Sequence, residues 1–493
     1  MDRRIRKWLA AGILAGAVLG GCGLAGTGTG KEALSGEGVL SGEMAEDGQS
    51  AANEDTLNED SFTGPSDVEK EAYPDLGQIP LRDNKLLYAN DNEDSVVTMY
   101  LTVRRGSAGE GTNHSWEEIN RYSVYDYEDM GVDRYQVEGL LQVGDENGPL
   151  PGELGYGDRT PNATVQIRGQ TSSRNAQKNY KIRLKDNKGT WRGQQTIALN
   201  KHQTDGLRFR NKLGFDLLKG LDETFSLRTQ FVHLYVKDET EGENGGFVDY
   251  GLYTQVEQLN KAALRAHGLD RNGHLYKINS FEFFRYEDVI RMASDPEYDQ
   301  KAFEALLEIK GNEDHGKLIA MLEDVNNYSL SIDEVLDKHF NRENLVYWIA
   351  FQILTGNIDT QNRNCYIYSP QNLDTWYFLS WDMDGMMSWD ENAVLGWSDY
   401  GAWERGVSNY WGNVLFQRCL KSAAFRDELD EAVTVLKEKL TDGRIQALME
   451  EYQGVTQEYL YRMPDVVYAP LTPEAYADTA QKLPELVEFY YQN

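Results

Sequence analysis

The spacing of apolar residues changes period partway along this chain, and that change limits the folds open to it. Up to residue 257 the period is two. "SVVTMYLTV" (95–103) is β-branched and aromatic, and "ATVQIRGQTSSRNAQKNYKIRL" (163–184) reads as two strands about a Gly/Ser/Asn turn. "TQFVHLYVKD" (229–238) and "FVDYGLYTQVE" (247–257) read as two more. In such strands alternate side chains face opposite sides of a sheet. From residue 300 the spacing is helical, with helices expected over 300–325, 333–355, 411–440, 443–462 and 473–491. One helix interrupts the strand half: "GLRFRNKLGFDLLKGL" (206–221) sets Leu207, Leu213, Leu217 and Leu221 at helical intervals. Another, in "QLNKAALRAHG", is closed by Gly268. Strands gathered early and helices late predict an α+β fold of two lobes, a mostly antiparallel sheet lobe over 81–260 and a helical lobe over 261–493.

The first 80 residues read differently. Residues 1–22 have a basic head (Arg3, Arg4, Arg6, Lys7) and an apolar stretch shorter than the ~20 residues that span a bilayer, ending on small residues before Cys22. This is expected to be a signal peptide. Leu19, Gly20, Gly21 and Cys22 also resemble a bacterial lipobox, which implies a lipidated Cys22, membrane attachment and an extracytoplasmic body; an uncleaved anchor or a simple secretory signal has a similar pattern. Residues 23–80 are rich in Gly, Ser, Glu and Asp and nearly free of aromatic residues, the composition of a disordered tether.

A formal net charge of −31 argues against nucleic-acid binding, because phosphates would be repelled. An anionic ligand therefore needs local cations or a metal. The seven histidines form no metal-ligand pattern, so transition-metal chemistry is not expected. Cys365 and Cys419 could pair in an oxidising compartment, but cysteines among hydrophobic neighbours are more often buried thiols.

Candidate chemistry sits in "GNIDTQNRNCYIYS" and "WYFLSWDMDG". A helix delivers the chain to a polar loop carrying Asp359 and, five residues on, Asn364; a short β-pair then ends at Asp382 and Asp384. Phosphoryl transfer needs a carboxylate for the attacking hydroxyl and oxygen ligands for magnesium. Asp359, Asn364 and Asp382 supply these in the spacing of a kinase catalytic loop followed by its metal-binding aspartate. Loop capping or a calcium-binding corner would use the same residue types, and the ordered set of elements gives the pattern its weight. Lys178 shares a strand face with Tyr180, Ile182 and Leu184. It is either a strand-end lysine reaching water or a cation held in a cleft to meet phosphate.

Five ordered segments then carry a resemblance: "IRGQTSSRNAQKNYKIRL", "LNKHQTDGLRFRNKLGFDLL", "GLYTQVEQLN", "GNIDTQNRNCYIY" and "FLSWDMDGMM". Over about residues 95 to 420 the chain resembles the CotH family, spore-coat kinase relatives that recur as surface proteins. The resemblance implies an atypical protein-kinase-like two-lobed fold that binds ATP and magnesium between the lobes and phosphorylates Ser/Thr of surface or secreted proteins. Carried over, Asp359 is the catalytic base, Asn364 and Asp382 hold magnesium, and Asp384 is a second metal ligand. Lys178 contacts the phosphates, with Lys181 the weaker candidate, because the family's preceding lysine is Gln177 here. Glu257, Gln258 and Leu259 lie near the adenine, and Arg168 with Ser172, Ser173 and Arg174 covers the phosphates. Asp216, the acid of the inserted helix, could pair with Lys178. ATP is scarce outside the cytoplasm, so a non-catalytic surface-binding or structural module on the same fold is the alternative, and the aromatic segment 396–413 would serve either. A carbohydrate-active enzyme with two carboxylates leaves Lys178 and Asn364 without a role.

Overall fold

The computed structural model describes residues 79–242, 245–388, 407–441 and 443–492. The signal peptide, Cys22, all but the last two residues of the tether and most of the aromatic segment lie outside the described residues. Among the described residues no helix is long and apolar enough to cross a membrane.

The chain runs through β1 (Val96–Arg104), helices α1 (Trp116–Arg121) and α2 (Val124–Met130), and strands β2 (Val137–Asp145), β3 (Gly148–Pro149), β4 (Ala163–Arg168), β5 (Asn179–Leu184) and β6 (Thr196–Asn200). Helix α3 (Arg210–Lys219) precedes β7 (Thr229–Asp238) and β8 (Val248–Glu257), and α4 (Lys261–Ala266) leads to β9 (His274–Ile278). The second half comprises α5 (Gln300–Leu306), β10 (Leu307–Ile309), α6 (Gly316–Asn326), α7 (Ile332–His339), α8 (Arg342–Leu354), β11 (Cys365–Ser369) and β12 (Tyr377–Ser380). It closes with α9 (Val414–Lys421), α10 (Ala423–Thr441), α11 (Arg444–Leu460) and α12 (Pro473–Gln492).

The fold is α+β. Its first lobe is more than an open sheet. The eight strands run in the order β1-β7-β8-β6-β5-β4-β2-β3, and β1 also pairs with β2, so the sheet closes on itself. Only β1 and β7 run parallel; the other pairs are antiparallel. Closure removes most of the edge that an open sheet would expose. The inward set, including Met99, Leu101, Leu141, Val165, Ile182, Leu199 and Leu234, forms its own core, plugged by Trp116 and Ile119 of α1 and Val124 and Tyr127 of α2. Both plugging helices begin with reciprocal capping boxes, Ser115 with Glu118 and Ser123 with Asp126.

Outward residues of the same strands join a second core. Phe231, Leu252 and Val256 meet α3, the late helices and a four-stranded sheet ordered β10-β9-β11-β12. The helix expected over 300–325 is broken by β10, which pairs with β9. A short segment before β1 ties to both halves of this unit. The Ile79 carbonyl accepts from Asn341 Nδ2 (3.0 Å) and Tyr377 Oη (2.7 Å), Asp83 pairs with His267 (2.6 Å), and Asp91 pairs with Lys219 of α3 (2.6 Å). Cys365 and Cys419 are buried free thiols.

Candidate functional site

Helix α8 ends at Leu354, and Gly356 turns the chain with φ +60°; a Cβ there would lie 2.2 Å from the Tyr490 ring. The loop that follows is braced from several sides. Thr360 Oγ1 donates to the Asn357 carbonyl (2.9 Å), Asn409 Nδ2 donates to the Ile358 carbonyl (2.7 Å), and Asn413 Nδ2 donates to the Gln361 carbonyl (2.9 Å). On this frame Asn364 Nδ2 donates to Asp359 Oδ2 at 2.9 Å, and Arg363 Nε stands 3.6 Å from the other oxygen. The Asp359 side chain remains well exposed.

The Asn364 carbonyl accepts from Trp381 N–H (3.2 Å), which joins the loop to the turn after β12. Asn364 and Asp382 both sit in the left-handed region, at φ 55° and 53°, as does His202 at 47°. Non-glycine residues held there cost energy and gather at functional sites. Beneath the turn lies α3. Asn211 Oδ1 accepts from Met383 N–H at 2.9 Å, and His202 Nδ1 stands 3.4 Å from Asp384 Oδ2.

The electrostatics follow from crowding carboxylates into one corner. Burial pushes Asp382 up to about 7, and the Asp384 charge adds to it, against His202, Arg168 and Lys277. For Asp384, burial would raise the pKa, but His202 and Arg210 hold it below the usual value. Desolvation by the surrounding protein also lifts Asp359, with Asp384 adding to it and Arg363 and the Asn364 hydrogen bond opposing it.

Two cations, Arg168 and Lys277, act on Asp382, and a third, Lys181, lies on the same barrel face as Arg168. Arg168 closes β4, Lys181 lies on β5 and Lys277 on β9. Gln166 pairs with Lys181 across β4 and β5, so Gln166, Arg168 and Lys181 share the outward barrel face, opposite Val165, Ile167 and Ile182. Burial lowers the pKa of Arg168, Lys181 and Lys277; Asp382 opposes this at Arg168 and Lys277, and Glu308 does so at Lys181 and Lys277. None of the three forms an ion pair with a described residue. In a chain this acidic, unpaired and partly buried cations mark a place for an anion.

Other residues singled out in the sequence lie elsewhere. Lys178 precedes β5, and its Nζ donates to the Ser173 carbonyl at 2.6 Å; Asp126 is the acid that acts on it. It points with Tyr180 toward the barrel interior because side chains alternate, which leaves Lys181 on the outward barrel face with Arg168. Arg174 stacks over Tyr125 at 3.9 Å, and Ser173 Oγ accepts from Val124 N–H. Glu257 is buried between Arg228 and His267, so its side chain is committed, and its backbone N–H donates to the Arg228 carbonyl (2.9 Å). Gln258 Nε2 reaches Tyr366 Oη at 3.5 Å. Asp216 pairs with Lys212 (2.8 Å) and Lys219 (2.6 Å), not with Lys178, and its carboxylate also accepts from Thr229 Oγ1 (3.1 Å) and Tyr452 Oη. The sequence reading did not select Lys277, His202 or Asn211. Lys277 had no signal, since β9 is too short to stand out, whereas His202 and Asn211 both lie within residues 199–218, one of the segments that carry the family resemblance.

Among the described residues no group of three or more His, Cys, Asp or Glu could hold a metal by itself. That donor set fits magnesium delivered with phosphates, which takes one or two protein carboxylates and completes its shell with phosphate oxygens and water.

Comparison with known proteins gives two findings. The inner spore coat protein H of Bacillus subtilis (strain 168) is 23% identical over 340 residues, which cover 65% of this chain and 88% of that protein. The profile of the family described as CotH kinase protein matches residues 165–493, from within β4 to the end of the chain, and the protein therefore belongs to the CotH family.

Proposed function

We propose that the protein is an extracytoplasmic ATP-dependent protein kinase that transfers the γ-phosphate to Ser or Thr of surface or secreted proteins. The observation that carries this reading is the pair of unpaired cations Arg168 and Lys277 set against Asp382, with unpaired Lys181 on the same barrel face as Arg168. These cations bind the phosphates. Asp382, Asn364 and Asp384 hold magnesium, which supplies charge neutralisation of the phosphates when bound. Asp359 takes the proton of the acceptor hydroxyl as that oxygen bonds to the γ-phosphorus and the bond to the β-bridging oxygen breaks, releasing ADP. Asn364 orients Asp359 through its amide. The description of the family and the name of the spore-coat relative favour this reaction at a cell or coat surface. Lipidation at Cys22 belongs to the same reading and keeps the domain at the outer face of the membrane.

The test is thermal denaturation of the protein with ATP, with and without magnesium, beside Asp382→Ala. A ligand at 100 times its Kd stabilises by about 2.7 kcal/mol. Magnesium-dependent stabilisation that is lost in the variant is expected. No shift in the folded parent protein refutes the kinase reading in favour of a non-catalytic binding module.

A further inference from the structure

We propose that His202 is a positioning residue that fixes the Asp384 carboxylate, and that Asn211 sets the imidazole tautomer it uses. The proposal rests on the kinase reading for its purpose, but its geometry stands independently. His202 lies just past β6 and is 8% exposed; Asn211, in the first turn of α3, is 2% exposed.

The proton positions follow from donors and acceptors. A backbone N–H can only donate, so the Asn211 atom facing Met383 N at 2.9 Å is its carbonyl oxygen. The Asn211 amide nitrogen must then face His202 Nε2, 3.2 Å away. An amide nitrogen only donates, so Nε2 is the acceptor and carries no proton. In the neutral imidazole the proton is therefore on Nδ1, which stands 3.4 Å from Asp384 Oδ2. One asparagine thus grips the Asp-Met-Asp turn by its backbone while orienting the histidine that holds the second aspartate. Partners outside the coordinating set orient ligands in this way, and their loss costs 10- to 100-fold in metal affinity or activity. The strained backbone at His202, φ 47°, is consistent with a side chain held where it is needed.

The experiment uses the full chain with a non-hydrolysable ATP analogue and reads the manganese concentration giving half of the thermal stabilisation. His202→Ala should raise that half-point about tenfold or more. His202→Asn puts an amide donor at the Nδ1 position and should recover most of the loss; His202→Gln, whose amide reaches the Nε2 position, should not. An unchanged half-point in His202→Ala, or equal values for the Asn and Gln variants, against a responding parent, overturns the relay alone. No manganese-dependent shift in the parent refutes the kinase reading, and the relay's purpose with it. Long-range proton–nitrogen NMR of the ¹⁵N-histidine-labelled parent, the His202 signal assigned by its absence in His202→Asn, requires no nucleotide. It should show the Nδ1–H tautomer, and an Nε2–H tautomer overturns the geometry.

Discussion

Gly214→Ala is the most discriminating substitution this structure offers, because it pits helix stability against the position of the metal-binding turn. Gly214 is buried in α3, and a Cβ added there would meet Met386 Sδ at 2.8 Å, Met383 Cβ at 2.9 Å and Met383 Cε at 2.9 Å. Alanine in a helix is favoured over glycine by about 1 kcal/mol, and overpacking costs about 1–3 kcal/mol. The net loss of stability is therefore only about 0–2 kcal/mol. The methionine ends can swing aside, but the Met383 Cβ is fixed to the backbone between Asp382 and Asp384. Restoring a normal carbon contact of about 3.5–4.0 Å moves that backbone by roughly 0.6–1 Å. A displacement of this size at reacting groups costs up to about 100-fold in rate. The assay pairs a melting curve with the phosphate-transfer rate and the magnesium half-point for nucleotide stabilisation. Gly454→Ala is the control: this residue is in α11 with nothing within 4 Å, and its substitution should stabilise the protein by up to about 1 kcal/mol without changing the rate. A Gly214→Ala protein with the parental rate and half-point would refute the idea that α3 sets the turn.

Asp382→Asn should change the pH dependence of stability of the ligand-free protein. The folded-state pKa, about 7, exceeds the ordinary 3.8, so the folded protein holds the extra proton, and this stability is complete below about pH 4 and lost as the pH rises through about 7. At about 1.4 kcal/mol per tenfold change in proton affinity, the ceiling is about 4 kcal/mol; the partial solvent exposure of Asp382 reduces it to about 1–2 kcal/mol. Melting near pH 5 and near pH 8 should show the variant gaining on the parent at the higher pH, and parallel curves would contradict this. Asp359→Asn should lower phosphate transfer by about 100- to 10,000-fold while nucleotide stabilisation persists, and equal loss of both would mean that the base is assigned wrongly. ATP titration should separate the two lysines: Lys181→Ala weakens binding severalfold and Lys178→Ala leaves it unchanged, the opposite order counting against Lys181 as the phosphate contact.

Much of the local chemistry was readable because it depends on neighbours in the chain. Asp359 and Asn364 are five residues apart on one loop, and their hydrogen bond needs only that loop to close. The pairing of β11 with β12 was legible from two short apolar runs around turn residues, and it brings Asp382 to the strand end. The facing of the two lysines was half legible. Alternation showed that Lys178 and Lys181 face opposite ways, but not which side of the sheet is the barrel interior, a matter of closure between β1 and β2. The capping boxes before α1 and α2 were signals that could have located the barrel plug.

By itself the sequence determined the strand-rich first half and helix-rich second half, the acidic balance and the local loop that joins Asp359 to Asn364, since periodicity, composition and short spacing are properties of the chain. Only tertiary structure decided that the sheet closes, that Lys277 faces Asp382 with Arg168, and that Asn211 and His202 meet the Asp-Met-Asp turn. Asn211 and Met383 are 172 residues apart, and their contact depends on α3 packing over that turn rather than on any pattern in either segment.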